Sequence, residues 1–188
     1  MAKRDWDHAR WLWWLALLGG VSYFYAVVQQ LAGFHISVWK TSGVALLAVW
    51  AAANARDGEY GWIAAVMAFG AAGDFLLAEY GLPVGGATFA IGHFIAISFY
   101  LRHRRRKFTP SQRLFAFLVT PLAVLIAWQL VRGQPAQLMG AAIGYTAIVA
   151  AMTACAWTSK FPRLITGLGA FSFLISDLFI FAGEGGAL

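Results

Sequence analysis

The chain has 188 residues, of which 61% are hydrophobic and only 12% charged, with a formal net charge of +6. Soluble proteins average about half apolar and a quarter charged residues, so this composition excludes an ordinary soluble domain. Apolar runs of about 20 residues recur along the whole length, the signature of bilayer-crossing helices. The expected class is all-α, a polytopic transmembrane helix bundle forming one domain over 1–188.

Seven spans are expected, at roughly 10–32, 36–54, 60–79, 84–102, 112–131, 136–158 and 162–182. The connections are short and hold turn formers: Ala32-Gly33, Asp57-Gly58, Gly81-Leu82-Pro83, Thr109-Pro110, Gly133-Gln134-Pro135 and Phe161-Pro162. Loops this short make neighbouring helices antiparallel. No internal repeat or low-complexity tract is visible. The N-terminus begins basic and then apolar, as a signal peptide does. Its apolar run is too long for one and no small-x-small cleavage site follows, so it reads as a retained first helix. Nine Trp and six Tyr suit a protein with two membrane interfaces to anchor. Cys155 is the only cysteine, which rules out an internal disulfide and reads as a buried, inert thiol.

The basic residues orient the bundle. Lys3, Arg4, Arg10, Arg56, the six in RHRRRKFTPSQR, Lys160 and Arg163 fall on one side; only Lys40 and Arg132 fall on the other. That imbalance places the N-terminus in the cytoplasm and, with an odd number of spans, the C-terminus outside. RHRRRK is then a topology determinant that touches anionic lipid heads. Nucleic acid is the weaker reading of the positive charge, because nothing here offers a groove-reading element. The expected location is the bacterial inner membrane.

Ionisable residues inside the spans are few. The last apolar segment carries one, Asp177, and the third carries Asp74. A carboxylate at mid-membrane costs about 2.5–3.5 kcal/mol on insertion scales, so such residues usually face the bundle interior and mark a site. At about 1.5 Å per residue, both aspartates lie roughly 21–23 Å from the cytoplasmic face of a core about 30 Å thick. Lys40 falls about 6 Å below the outer face, and His93 near the midplane. The expectation is one polar cavity, with Lys40, His93, Tyr145 and Ser176 around the two carboxyls. Each aspartate follows a small residue (Gly73, Ser176), which favours close helix approach. Against these readings stand plainer ones: hydrogen-bonding plugs for the aspartates, a snorkelling Lys40 and a satisfied bundle histidine at His93. Tyr23 and Tyr25 read as packing or interface residues.

Several chemistries fit poorly. A zinc hydrolase wants about three His or mixed ligands, and only His93 is well inside a span. A retinal protein needs a mid-span Lys, haem needs paired His, and no nucleotide-binding Gly motif has a strand–helix context.

The remaining residues resemble the YhhN/lysoplasmalogenase family of multispan membrane proteins. GAFSFLISD at Gly169–Asp177 looks like its GAxxFxxSD signature, and AAGDFLL around Asp74 like its GDxxL element. GATFAIGH is similar to its F-x-x-small-H segment, with Phe89 and His93 in place. GYTAIVAAMTACA resembles a further stretch through Tyr145, Ile148 and Met152, and Lys40 falls where members carry a second-span Lys. The likeness covers roughly 39–180 in order. Three departures accompany it: Thr41 stands where members have Pro, Ala96 where a Tyr is common, and members typically carry an eighth span.

The resemblance implies hydrolysis of the vinyl ether bond of a lysoplasmalogen to a fatty aldehyde and a glycerophospho-choline or -ethanolamine. It implies a lipid partner, no cofactor and no metal. The residues suit that chemistry. Protonation at the β-carbon of a vinyl ether gives an oxocarbenium ion, water captures it, and the hemiacetal collapses. One carboxylic acid and one carboxylate can divide this work, as in an inverting glycosidase. Asp177 reads as the acid and Asp74 as the carboxylate, which Lys40 would keep ionised. A proton-coupled transporter or lipid-binding protein could use the same aspartates as a relay, although no inverted repeat is evident. A non-catalytic assembly role is the third reading.

Overall fold

The computed structural model describes residues 9–55 and 58–186. Lys3, Arg4, Arg56 and Asp57, which entered the charge and turn readings, lie outside them. Among the described residues the chain is all-helical. The order is α1 (Arg10–Val28), α2 (Phe34–Ala53), α3 (Gly58–Tyr80), α4 (Leu82–Arg102), α5 (Pro110–Val131), α6 (Ala136–Thr158) and α7 (Leu168–Glu184), with a π-helical turn at Arg163–Gly167 leading into α7. All seven, the last taken with its π turn, are long and apolar enough to cross a membrane. The largest departure from expectation is at the first connection. There α1 stops at Val28, and left-handed backbone at Gln30 (φ 52°) and Gly33 (φ 119°) makes the break.

The surface is apolar where a soluble protein's would be polar. Phe117 is 77% and Leu164 80% exposed, whereas Gln112, Thr146 and Thr153 are buried. Lipid tails are as apolar as Leu, so nothing drives large aliphatics inward, and small or hydrogen-bonding residues pack between helices instead. This is an integral multi-pass membrane protein. Trp11, Trp13 and Trp14 at the start of α1 and Tyr80 at the end of α3 are exposed, as interface anchors are. Tyr25 is exposed and Tyr23 half-buried.

Two compact units divide the chain, Met1–Ile95 and Ala96–Leu188, with α4 contributing to both. In the first, α1 and α2 run antiparallel: Trp39 Nε1 donates to Ser22 Oγ at 2.8 Å, and a Cβ on Gly43 would stand 3.1 Å from the Ala16 carbonyl. The ring pairs Phe34–Phe75 and Trp50–Tyr60 set α2 antiparallel to α3. A single residue, Gly81 (φ 81°), separates α3 from α4. Only glycine adopts that conformation without a steric cost, and it is the common way to end a helix. The two helices then close tightly, since a Cβ on Gly85 would meet Leu77 Cβ at 2.5 Å and one on Gly92 would meet Phe69 Cβ at 3.1 Å.

In the second unit, α5 opens with a capping box between Thr109 and Gln112, with Pro110 in its first turn. The Gln112 side chain goes on to donate to the Trp157 carbonyl at 3.2 Å, and Phe115 stacks on the Trp157 ring at 4.3 Å. Thr153 Oγ1 donates across to the Ala170 carbonyl at 3.1 Å, joining α6 to α7. The basic loop is more than a charge label. Arg105 Nε donates to the Ser159 carbonyl at 2.6 Å, and the Lys160 amide donates to the His103 carbonyl at 2.8 Å. One guanidinium of RHRRRK is thus committed to tying the α4–α5 loop to the end of α6. Cys155, expected to be buried, is only half-buried: its helix face is not fully covered.

Candidate functional site

Asp74 and Lys40 meet in the first unit. Lys40 is the seventh residue of α2 and Asp74 the seventh from the end of α3, so antiparallel packing brings them to one level. Lys40 Nζ stands 3.7 Å from Asp74 Oδ1, with the two side chains 29% and 25% exposed. Of the two readings that the sequence left open for Lys40, a side chain snorkelling to the headgroups and a partner for a carboxyl, the distance fits the second. The partial exposure leaves the pair room to meet a ligand.

The register of α4 against α3 is set beside Asp74. A Cβ on Gly73 would lie 2.8 Å from the Phe89 ring, so the ring occupies the slot that glycine leaves. His93, one turn further along α4, is 6% exposed and lies nearly parallel to that ring, 16° between planes and 6.5 Å between centroids. Phe89 therefore links the buried histidine to the backbone at Asp74. Sequence reading noted Phe89 as part of a pattern but assigned it no task. The signal was present in the four-residue spacing, which puts both rings on one helix face.

Thr41 Oγ1 is buried with no hydrogen-bond partner, next to Lys40. A helical threonine commonly satisfies its hydroxyl on a backbone carbonyl one turn back. Here it does not, and no pattern in the sequence marks that.

Asp177 and Tyr145 meet in the second unit. Tyr145 Oη donates to Asp177 Oδ2 at 2.7 Å, within the short range of bonds to a carboxyl oxygen. Asp177 is 6% exposed, and the Tyr145 ring also meets Phe181 edge-on at 6.0 Å. This pairing goes beyond the sequence reading, which placed Tyr145 on a cavity wall without a partner. Ser176, expected to line the same polar cavity, is exposed. Consecutive helical residues point about 100° apart, so turning Asp177 inward carries Ser176 out.

The two carboxyls thus sit in chemically unequal settings: one beside an ammonium and partly open, one beneath a phenol and buried. Among the described residues, no group of three His, Cys, Asp or Glu converges in a way that could hold a metal ion.

The YhhN family model matches residues 35–184. Comparison with curated proteins and with solved structures returned no match. The matched segment runs from the head of α2 to the end of α7 and contains Lys40, Asp74, His93, Tyr145 and Asp177; of the described helices, only α1 lies outside it. With the match covering most of the sequence and every helix that carries these residues, the chain belongs to the YhhN family.

Proposed function

We propose that this protein is a lysoplasmalogenase-like intramembrane hydrolase, with Asp74 and Asp177 as its acid–base pair and no metal or cofactor. The observation that carries the reading is the unequal partnering of two in-membrane aspartates in a YhhN-family chain: Lys40 for one, Tyr145 for the other. Asp177, accepting from Tyr145 on Oδ2, carries the proton and delivers it to the β-carbon of the vinyl ether. The electron pair of the double bond takes that proton, and positive charge develops on the ether-bearing carbon. Asp74, ionised beside Lys40, steadies that oxocarbenium ion and accepts a proton from the water that attacks it. As the hemiacetal breaks its C–O bond to the glycerol, Asp74 returns its proton to the departing glycerol oxygen and the hemiacetal hydroxyl gives its proton to Asp177, which restores both carboxyls and releases a fatty aldehyde and a glycerophospho-alcohol. Lys40, His93 and Tyr145 position the groups and the substrate. Under this reading the N-terminus is cytoplasmic, the membrane is the bacterial plasma membrane and the partner is a single-tailed lipid.

The test is aldehyde release from lysoplasmalogen by purified protein in detergent, where no ion gradient exists. Wild-type protein is expected to release aldehyde. Asp74→Asn and Asp177→Asn, inserted and monodisperse, are each expected to lose at least about 10²-fold in rate, the usual scale of acid–base catalysis. Near wild-type rates in both variants overturn the mechanism. No release from any vinyl ether lipid, with activity only across a proton gradient, replaces the hydrolase with a transporter.

A further inference from the structure

The one described helix outside the family match, α1, builds an apolar groove against α2. Trp13, Leu17, Gly20 and Val21 of α1 face Lys40 and Leu47 of α2 around a cavity of about 420 Å³, in which Lys40 is the only charged residue. The antiparallel register set by Trp39–Ser22 puts Val21 opposite Lys40 at one end and Trp13 opposite Leu47 at the other. From Trp13 to Val21 the groove runs about 12 Å at the helical rise.

We infer that this groove holds the first part of a single fatty chain, with the junction between head and tail at Lys40 and Asp74. The inference rests on the hydrolase reading for its reaction, but three observations of the groove support it directly. The wall is apolar along its length and cationic at one end, which complements an amphiphile with one tail and an oxygen-rich head. Its volume falls within the roughly 300–1,000 Å³ of small-molecule sites. The bond that breaks in a vinyl ether lipid joins tail to head, so the tail must end where the acid–base groups act. Lys40 does both: it lines the groove and stands 3.7 Å from Asp74.

Gly20 supplies the third observation. A Cβ on Gly43 would crowd the α1 backbone, so that glycine serves helix packing. A Cβ on Gly20 would meet nothing within 4 Å. The Gly20 backbone lies close to α2, since the same Cβ on Gly43 would stand 3.1 Å from the Gly20 nitrogen, and the direction of a Gly20 side chain is left open where the residue lines the groove. The part of the molecule that reads the tail is then carried partly by α1, outside the segment that the family model matches.

The experiment uses full-length protein and a lysophosphatidylcholine carrying a photoreactive diazirine in the first third of its tail, with labelled residues mapped by mass spectrometry. The expected result is saturable labelling on α1 and α2. A single-tailed lipid should compete it away; two-tailed phosphatidylcholine should not. Gly20→Phe, which fills the groove from its open side, should reduce that labelling at least about tenfold, in line with the selectivity that pocket volume controls. Gly20→Ala should keep most of it. Labelling spread over all lipid-facing helices, or indifferent to the competitor, overturns the inference already in wild-type protein, whether or not Gly20→Phe inserts. Aldehyde release measured on the same samples separates the two readings. Groove labelling without aldehyde release removes the hydrolase and keeps the groove. Aldehyde release with labelling elsewhere removes the groove and keeps the hydrolase.

Discussion

Asp74 follows Gly73 and Asp177 follows Ser176, so in sequence each aspartate sits one step from a small residue in an apolar helix. In α3 the small residue is a packing site: Gly73 is buried and the Phe89 ring fills its place. In α7 it is not, since Ser176 is exposed. The carboxyls differ in the same sense. Asp74 is held by what surrounds it, a neighbouring helix fitted into Gly73 and a lysine one helix away. Asp177 is buried and accepts a short hydrogen bond from Tyr145, a residue distant in the chain. Similar local sequence therefore stands for two different ways of fixing a carboxyl inside a membrane.

The largest effect that could break this comparison comes from the two small residues themselves. Gly73→Leu forces a side chain into the Phe89 ring and should destabilise the protein by about 3 kcal/mol, the upper end of ordinary overpacking. Ser176→Leu, on an exposed face, should change stability by no more than about 0.5 kcal/mol. Unfolding of both variants in mixed micelles measures the contrast, and equal losses would end it.

The partners provide the next test. Tyr145→Phe removes the donor to a buried carboxyl and should cost about 1–3 kcal/mol, the range for a buried group left short of a partner. Lys40→Met keeps the aliphatic stem and removes the cation; Asp74 then neutralises by taking up a proton rather than standing charged in the membrane, which keeps the loss below that of Tyr145→Phe. The same unfolding assay should therefore rank Tyr145→Phe as the more damaging. The reverse order would mean that Asp74, not Asp177, is the carboxyl more dependent on its partner.

The smallest effect lies beside Lys40. Thr41→Val removes a buried hydroxyl that has no partner. Replacing an unsatisfied polar group by an apolar one of similar shape is close to neutral or stabilising. Stability equal to wild type or up to about 1 kcal/mol higher is expected. A loss of more than about 1 kcal/mol would show that the hydroxyl has work to do in the Lys40–Asp74 region.

Much of this molecule was legible before any coordinates. Seven spans follow from seven apolar stretches broken by Gly, Pro and polar turns, because the bilayer demands about 20 apolar residues per crossing and short loops demand antiparallel neighbours. The common level of Lys40 and Asp74 follows too, since helical rise converts sequence position into depth. Depth along an axis is all that such arithmetic supplies. Direction around the axis depends on which face each helix turns to its neighbours. That is decided by packing, by the Phe89 ring against Gly73 and by Thr153 reaching Ala170, between residues distant in the chain. For that reason Ser176 could be placed at the level of Asp177 but not on its outward face, and Tyr145 near the same level but not in bond to it. The commitment of Arg105 to the Ser159 carbonyl likewise joins residues far apart in sequence, which no reading of a charge run could anticipate. Sequence determined how many helices cross and how deep their polar residues lie. Tertiary packing alone decided which side chains meet, because rotation about a helix axis is set by the partner and not by the helix.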